Sequence, residues 1–255
     1  MRVAVITGPG RVEGIGAGCV RSFLRAGYQV VGIDKAFEPE VSRLAEAGGV
    51  PRDRFRTLQV DLADGDSIAQ LPERIAPLLS ADSKGIDVLI NNAGIAQPYL
   101  PDDPGAARIP AFQMYLTINL AAPFLVTEAL RQSLNPDAAS IIHISSIRAI
   151  RSEHGTSQEG YAAAKAGLLG LTHSQAAHLG PRGVRVNAIL PGHIDSGAGA
   201  VTEADHRHHW VGRVGTPGDI AGLALFLADP AQSGFITAQA FGVDGGISAS
   251  MVYPG

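Results

Sequence analysis

The sequence predicts an α/β protein built on a doubly wound parallel sheet. Three observations predict it. Short, β-branched apolar runs recur along the whole chain and read as strands buried on both faces. Helical patterns separate these runs, and strand alternating with helix implies parallel strands with helices on both sides. Most runs end in a small or polar residue: Asp34, Asp61, Asn91, Ser146, Gly192 and Asp244. Ligands of such sheets bind beyond the carboxyl ends of the strands, so this edge predicts a binding cleft.

The elements follow in order. Residues 3–6 form the first strand run, 7–16 a glycine-rich loop, and 15–26 have helical spacing. Residues 29–33 form a second strand ending at Asp34, and 57–60 a third ending at Asp61. A helical pattern covers 67–79 and a fourth strand, 88–90, ends at Asn91. Residues 111–134 are helical, 140–144 a fifth strand running into Ser145-Ser146, and 160–179 helical. A sixth strand, 184–189, runs into Pro191-Gly192. A helix over 217–227 precedes the seventh strand, 240–243. The loops 96–110 and 148–159 read as insertions, and with no linker or repeat the expectation is one domain over residues 1–255.

Composition narrows the function. A net charge of -4 argues against a nucleic-acid surface. No Lys/Arg cluster resembles a membrane-binding patch, and no run reaches the length of a membrane span. The apolar start, 3–6, is too short for a signal sequence, so the expectation is a cytoplasmic protein. A single cysteine, Cys19, excludes an internal disulfide framework and a cysteine-rich zinc site. His206, His208 and His209 have no acidic or thiol partner in a ligand pattern, so no metal is expected.

Tyr161 and Lys165 are four apart in a helical pattern and share a face. A free phenol has a pKa of roughly 10, so its ionisation at neutral pH costs about 4 kcal/mol. A neighbouring ammonium offsets part of that, which suits the pair to proton exchange with a substrate oxygen. The loop Thr7-Gly8-Pro9-Gly10-Arg11-Val12-Glu13-Gly14-Ile15-Gly16 departs from G-x-G-x-x-G, yet it sits between a strand and a helix. Glycines there let backbone approach a diphosphate at a helix N-terminus. Asp34 follows Gly14 by twenty residues, the place of a carboxylate that binds the adenosine ribose. It would repel a 2′-phosphate and so favours NAD. Lys35 and Arg11 could instead reach that phosphate, which keeps NADP open.

Taken in order, Thr7-Gly8 with Gly14-Ile15-Gly16, Asn91-Asn92-Ala93-Gly94, Ile144-Ser145-Ser146, Tyr161-x-x-x-Lys165, Asn187-Ala188-Ile189-x-Pro191-Gly192 and Val243-Asp244-Gly245-Gly246 resemble the short-chain dehydrogenase/reductase family in its compact form. The resemblance runs from Val3 to Gly246. It implies a Rossmann-type, three-layer α/β/α sheet of about seven strands in which cofactor binding and catalysis share one domain. It implies Tyr161 as general acid/base. Lys165 would lower its pKa and hold the nicotinamide ribose. Ser146, or Ser145 if the register slips, would polarise the substrate oxygen, and Asn119 would hold a water linked to Lys165. Asp61 and Leu62 would lie at the adenine, and Asn91, Ala93 and Gly94 along the adenosine side. Pro191, Gly192, Ile194 and Ser196 would lie at the nicotinamide.

Two loops are longer than the family's usual form. Which of Gly8, Gly10 and Gly14 meets phosphate is therefore open, and 151–159 could carry His154 or Gln158 to the site. The reading is a hydride transfer between NAD(H) and a small alcohol/ketone substrate. The alternatives are an NADP-preferring carbonyl reductase and a non-catalytic cofactor-binding sensor. The resemblance also implies a homotetramer or homodimer that pairs the helices around Asn119 and Tyr161. The tail with Met251 and Tyr253 is apolar enough to dock on a neighbour.

Overall fold

The structure is a computed structural model and describes residues 1–96, 105–152, 158–197 and 199–249. Its sheet contains β1 (Val3–Thr7), β2 (Gln29–Asp34), β3 (Phe55–Gln59), β4 (Val88–Asn91), β5 (Ser140–Ile144), β6 (Arg185–Pro191) and β7 (Ala240–Val243). The order is β3-β2-β1-β4-β5-β6-β7 and every pairing is parallel. The chain leaves β1 toward β2 and β3 on one side, then returns to lay β4 on the other. This reversal opens a crevice at the carboxyl ends of β1 and β4.

The helices are α1 (Ile15–Arg25), α2 (Leu44–Ala47), α3 (Gly65–Ala69), α4 (Leu71–Ile75), α5 (Gly105–Leu116), α6 (Ala122–Leu130), α7 (Glu159–Leu179), α8 (Glu203–Arg207), α9 (Pro217–Ala228) and α10 (Pro230–Ser233). Strand side chains alternate, so one sheet feeds two cores. Ala4, Ile6, Ile90, Ile142 and Ile189 meet Val20 and Phe23 of α1 and Ile220 and Leu227 of α9. Val5, Val31, Leu89, Ile141 and Val186 meet Leu71 of α4, Val126 and Leu130 of α6, and Leu179 of α7. This is the three-layer arrangement that the sequence predicts. Cys19 is buried in the first core, where burial pushes its thiol up to about 12.

Prolines account for several shifts from the sequence expectation. The helix over 67–79 is broken into α3, α4 and a tight turn, with Pro72 and Pro77 at the starts of the later pieces. The helix expected from 111 begins at Gly105 and carries Pro110 inside it. Its continuation to 134 stops at Leu130, and between α5 and α6 the residues Thr117–Ala121 form a wider π turn. The stretch Arg108–Leu130 is also long and apolar enough, by length and composition, to cross a membrane, unlike the sequence reading. Here it packs against α3, α4 and α7 and leaves Phe112, Met114, Phe124 and Leu125 partly exposed. β3 starts at Phe55 rather than 57, and β6 runs on to Pro191.

Candidate active site

The crevice begins with the turn after β1. Gly8 has φ +73°, and a methyl on its Cα would lie 2.6 Å from the Cα of Ala93. Only glycine lets the β1 and β4 ends approach this closely. Asn92 pins the same turn by donating to the carbonyls of Thr7 and Gly8 at 2.9 and 3.0 Å. The Thr7 hydroxyl accepts from the amides of Asn92 and Ala93, both at 3.0 Å. Gly14 is the N-cap of α1 and no side chain caps it. Its helix N-terminus therefore presents amides, and the partial positive charge of the dipole, to an anion. Ile15 and Gly16 follow in that first turn. A glycine-lined turn opening on an uncapped helix fits the diphosphate of a dinucleotide.

Asp34 closes the next side. Its carboxylate accepts from the amides of Gly10 and Lys35, each at 2.7 Å. The acid is thus held at the end of β2, facing the glycine loop. Arg11 does not turn toward Asp34: its Nη2 crosses to the carbonyl of Gly197 at 3.0 Å. Lys35 is exposed, and its own carbonyl accepts from Gln59.

A cavity of about 300 Å³ lies beyond β4, β5 and β6. Of the residues expected at the site, Ile15, Gly94, Ser146, Tyr161, Lys165, Pro191, Gly192, Ile194 and Ser196 line it. Tyr161 is hydrogen-bonded to Ser146. Burial raises the phenol pKa, and the Ser146 hydrogen bond and the charge of Arg148 pull against that rise. Lys165 Nζ lies 5.7 Å from the phenol ring centroid and donates to the Ile144 carbonyl at 2.8 Å. Burial lowers its own pKa to about 8. The dominant influence on Tyr161 is desolvation, and it runs upward.

Adjacent residues divide their tasks. Ser145 Oγ donates to the Lys165 carbonyl at 2.8 Å, so Ser146 is the serine whose hydroxyl meets Tyr161. Asn91 is buried, and its Nδ2 reaches Thr127 and His143. Its neighbour Asn92, which the sequence reading missed, lines the cavity with Ile95 and His193. Asn119 sits in the π turn and brackets Ile95 with two hydrogen bonds. Asp61 folds back to accept from Ala63, and Leu62 packs into the second core near Val60.

Residues 193–195 pair with Gly215, which fixes Ile194 over the crevice. His206 Nδ1 accepts from the Val214 amide at 3.1 Å, so it ties the covering segment together. Among the described residues no group of three metal-binding side chains is gathered. His154, Met251 and Tyr253 lie outside the described residues; Gln158 is the residue before α7.

Comparison with known proteins follows the same outline. The family model described as enoyl-(acyl carrier protein) reductase matches residues 8–248. An uncharacterized oxidoreductase of Thermotoga maritima is 34% identical over 271 residues, covering 99% of this chain and 98% of that protein. The 3-oxoacyl-[acyl-carrier-protein] reductase of Chlamydia muridarum is 32% identical over 256 residues, covering 97% of each. A blue fluorescent protein from a metagenomic library, solved in complex with NADPH, superposes with a TM-score of 0.80 at 31% identity. That match covers 96% of this chain and 97% of the other.

Proposed function

The chain belongs to the short-chain dehydrogenase/reductase family of NAD(P)-dependent oxidoreductases, and from that premise we propose that it interconverts a small alcohol and its ketone with NAD(H). One observation carries the reading: the Tyr161 phenol is hydrogen-bonded to Ser146 at a cavity that also receives Lys165 and the glycine-loop helix.

A bound nicotinamide supplies or accepts the hydride. The protein does the rest. Tyr161, with its pKa raised by burial, holds its proton at neutral pH. In the reductive direction it donates that proton to the substrate oxygen while the Ser146 hydroxyl polarises the same atom. Lys165 would hold the nicotinamide ribose, with Asn119 beside it. Pro191, Gly192, the backbone of Ile194 and Ser196 would hold the carboxamide. Gly8, Gly14, Ile15, Gly16, Ala93 and Gly94 would hold the diphosphate and adenosine, and Asp61 and Leu62 the adenine. Binding and catalysis share the one domain.

Asp34 supports NAD, because a carboxylate anchored by two amides at the end of β2 puts a negative charge where a 2′-phosphate would sit. The NADPH complex of the similar fluorescent protein favours the second reading, an NADP-preferring carbonyl reductase, for which Lys35 is the remaining cation. A screen of alcohols and ketones with each cofactor, followed by absorbance of the reduced nicotinamide, tests both. Turnover with NAD(H) is expected; binding without turnover across the panel would leave only a sensor.

The partly exposed Phe112, Met114, Phe124 and Leu125 support a homo-oligomer, a dimer or tetramer, that buries this helical face in a cytoplasmic protein. Light scattering tests it.

A further inference from the structure

The Tyr161 ring has an aromatic neighbour on another helix. Tyr115 of α5 is among the largest fully buried side chains. Its ring meets that of Tyr161 at 6.3 Å between centroids and 77° between planes. This is an edge-to-face arrangement, one of the two that aromatic pairs prefer.

Two glycines of α7 let α5 and the π turn come this close. A methyl on Gly160 would lie 2.8 Å from Cδ2 of Tyr115 and 3.1 Å from Cδ2 of Phe112. A methyl on Gly167, two turns along the same face, would lie 2.7 Å from Cδ2 of Leu120. Glycine weakens a helix relative to alanine, so both positions give up helix propensity for close approach. Gly160 directly precedes Tyr161, so the missing side chain that admits the Tyr115 ring belongs to the residue before the phenol.

Three contacts from different places thus reach Tyr161. Ser146 hydrogen-bonds the phenol, Lys165 Nζ lies 5.7 Å from the ring centroid, and Tyr115 meets the ring edge to face. A hydrogen bond at the oxygen leaves the ring plane free to turn. The hydroxyl hydrogen of a phenol lies near that plane, so a turn of the ring re-aims the proton, and proton transfer depends on its aim.

We infer that Tyr115 is a positioning residue for the proton transfer: its ring fixes the plane of Tyr161, and Gly160 is glycine to admit it. The inference rests on the reading of Tyr161 as the proton donor and deepens it.

The test follows reduction of butanone and cyclohexanone, with NADH and with NADPH, in Tyr115→Leu, Tyr115→Phe and Gly160→Ala. The leucine variant should lose roughly three- to tenfold in kcat, the share an aromatic pair can supply, with KM unchanged. Tyr115→Phe keeps the ring and should keep the wild-type kcat. Gly160→Ala retains Tyr115 but displaces its ring, so its kcat should fall as well. Crystal structures should show the Tyr161 plane kept in Tyr115→Phe and turned in Tyr115→Leu. Wild-type kcat in Tyr115→Leu, or in Gly160→Ala should the leucine variant not fold, overturns the inference. So does a loss carried by KM, or a phenylalanine variant as slow as the leucine one. Tyr161→Phe separates the two readings: if it keeps wild-type turnover, the proton-donor reading and the inference fall together, and if it loses turnover while Tyr115→Leu does not, only the inference falls. If neither ketone reacts with either cofactor, the alcohol/ketone reading fails, and an unturned Tyr161 ring in crystals of Tyr115→Leu overturns the inference separately.

Discussion

Asn119 clamps Ile95 on both sides: its Nδ2 donates to the Ile95 carbonyl at 3.0 Å and its Oδ1 accepts the Ile95 amide at 2.8 Å. Gly94 fits beneath this clamp because it lacks a side chain. A methyl there would lie 2.9 Å from Asn119 Oδ1 and 3.4 Å from Lys165 Nζ. The π turn widens the helix at the residue that must reach across.

Replacing Asn119 by Ala unpairs both Ile95 backbone groups. The loss should be about 1–3 kcal/mol in urea unfolding, with weakened cofactor binding. Asn119→Asp keeps the acceptor and should fall between. An unchanged midpoint in the alanine variant would mean that the clamp adds nothing to the fold.

Tyr161→Phe removes the hydroxyl and little else. Turnover should drop by about 10²–10⁴, while reduced cofactor still binds by fluorescence titration. Ser146→Ala should lose a smaller factor. Retention of wild-type turnover by the phenylalanine variant would remove Tyr161 from the reaction.

Asp34 should decide the cofactor. Asp34→Ser deletes the charge at the ribose, and the ratio of kcat/KM for NAD over NADP should fall by roughly tenfold or more. If the ratio stays where it was, the carboxylate does not read the 2′ position.

Acid should destabilise the protein through His143. Its ring is buried between Asn91 and Gln175, and burial lowers its pKa to about 4 from the ordinary 6.5. The unfolded chain then binds more protons between these values, so stability falls as pH drops through that window. The full effect is at most about 3 kcal/mol, at roughly 1.4 kcal/mol per unit. His143→Gln should flatten the slope of urea midpoints between pH 7 and 4.5 relative to wild type. Parallel slopes would contradict it.

Lys165 gives a slope of the same sign in an alkaline window. Burial holds it at about 8 against 10.5, so below pH 8 the folded protein carries a buried cation at full cost. Stability of the cofactor-free protein should rise from pH 8 toward 10. Lys165→Met should remove that rise and eliminate turnover. A wild-type curve that is flat over this range, or one matched by the methionine variant, would refute the assignment.

The strands and the glycine turn were legible in the sequence because burial on both faces leaves few residue choices, and because Gly8 meets a contact that only glycine tolerates. The motif points to Ser146 ahead of Ser145, and both line the cavity. What could not be read was that Asn92 rather than the Asn91 side chain lines it, because the two are separated by the period-two alternation of a strand end and only sheet register settles it. Arg11 reads as a phosphate ligand in isolation; its partner is a carbonyl 186 positions later. Pro110 reads as a helix boundary, yet the helix runs through it. The His193–Asp205 pair joins two segments whose proximity depends on the pairing of 193–195 with Gly215.

Strand and helix grip each other reciprocally where Ser145 Oγ meets the Lys165 carbonyl and Lys165 Nζ meets the Ile144 carbonyl. One of these bonds uses main chain on the helix, the other main chain on the strand, so the rotation of α7 about its axis is locked from two directions. The reacting groups thus ride on a frame that is indifferent to the segment above it. Recognition can drift through substitutions in 193–211 while the proton-transfer geometry stays put, which makes this covering segment the place to redirect the enzyme toward new molecules.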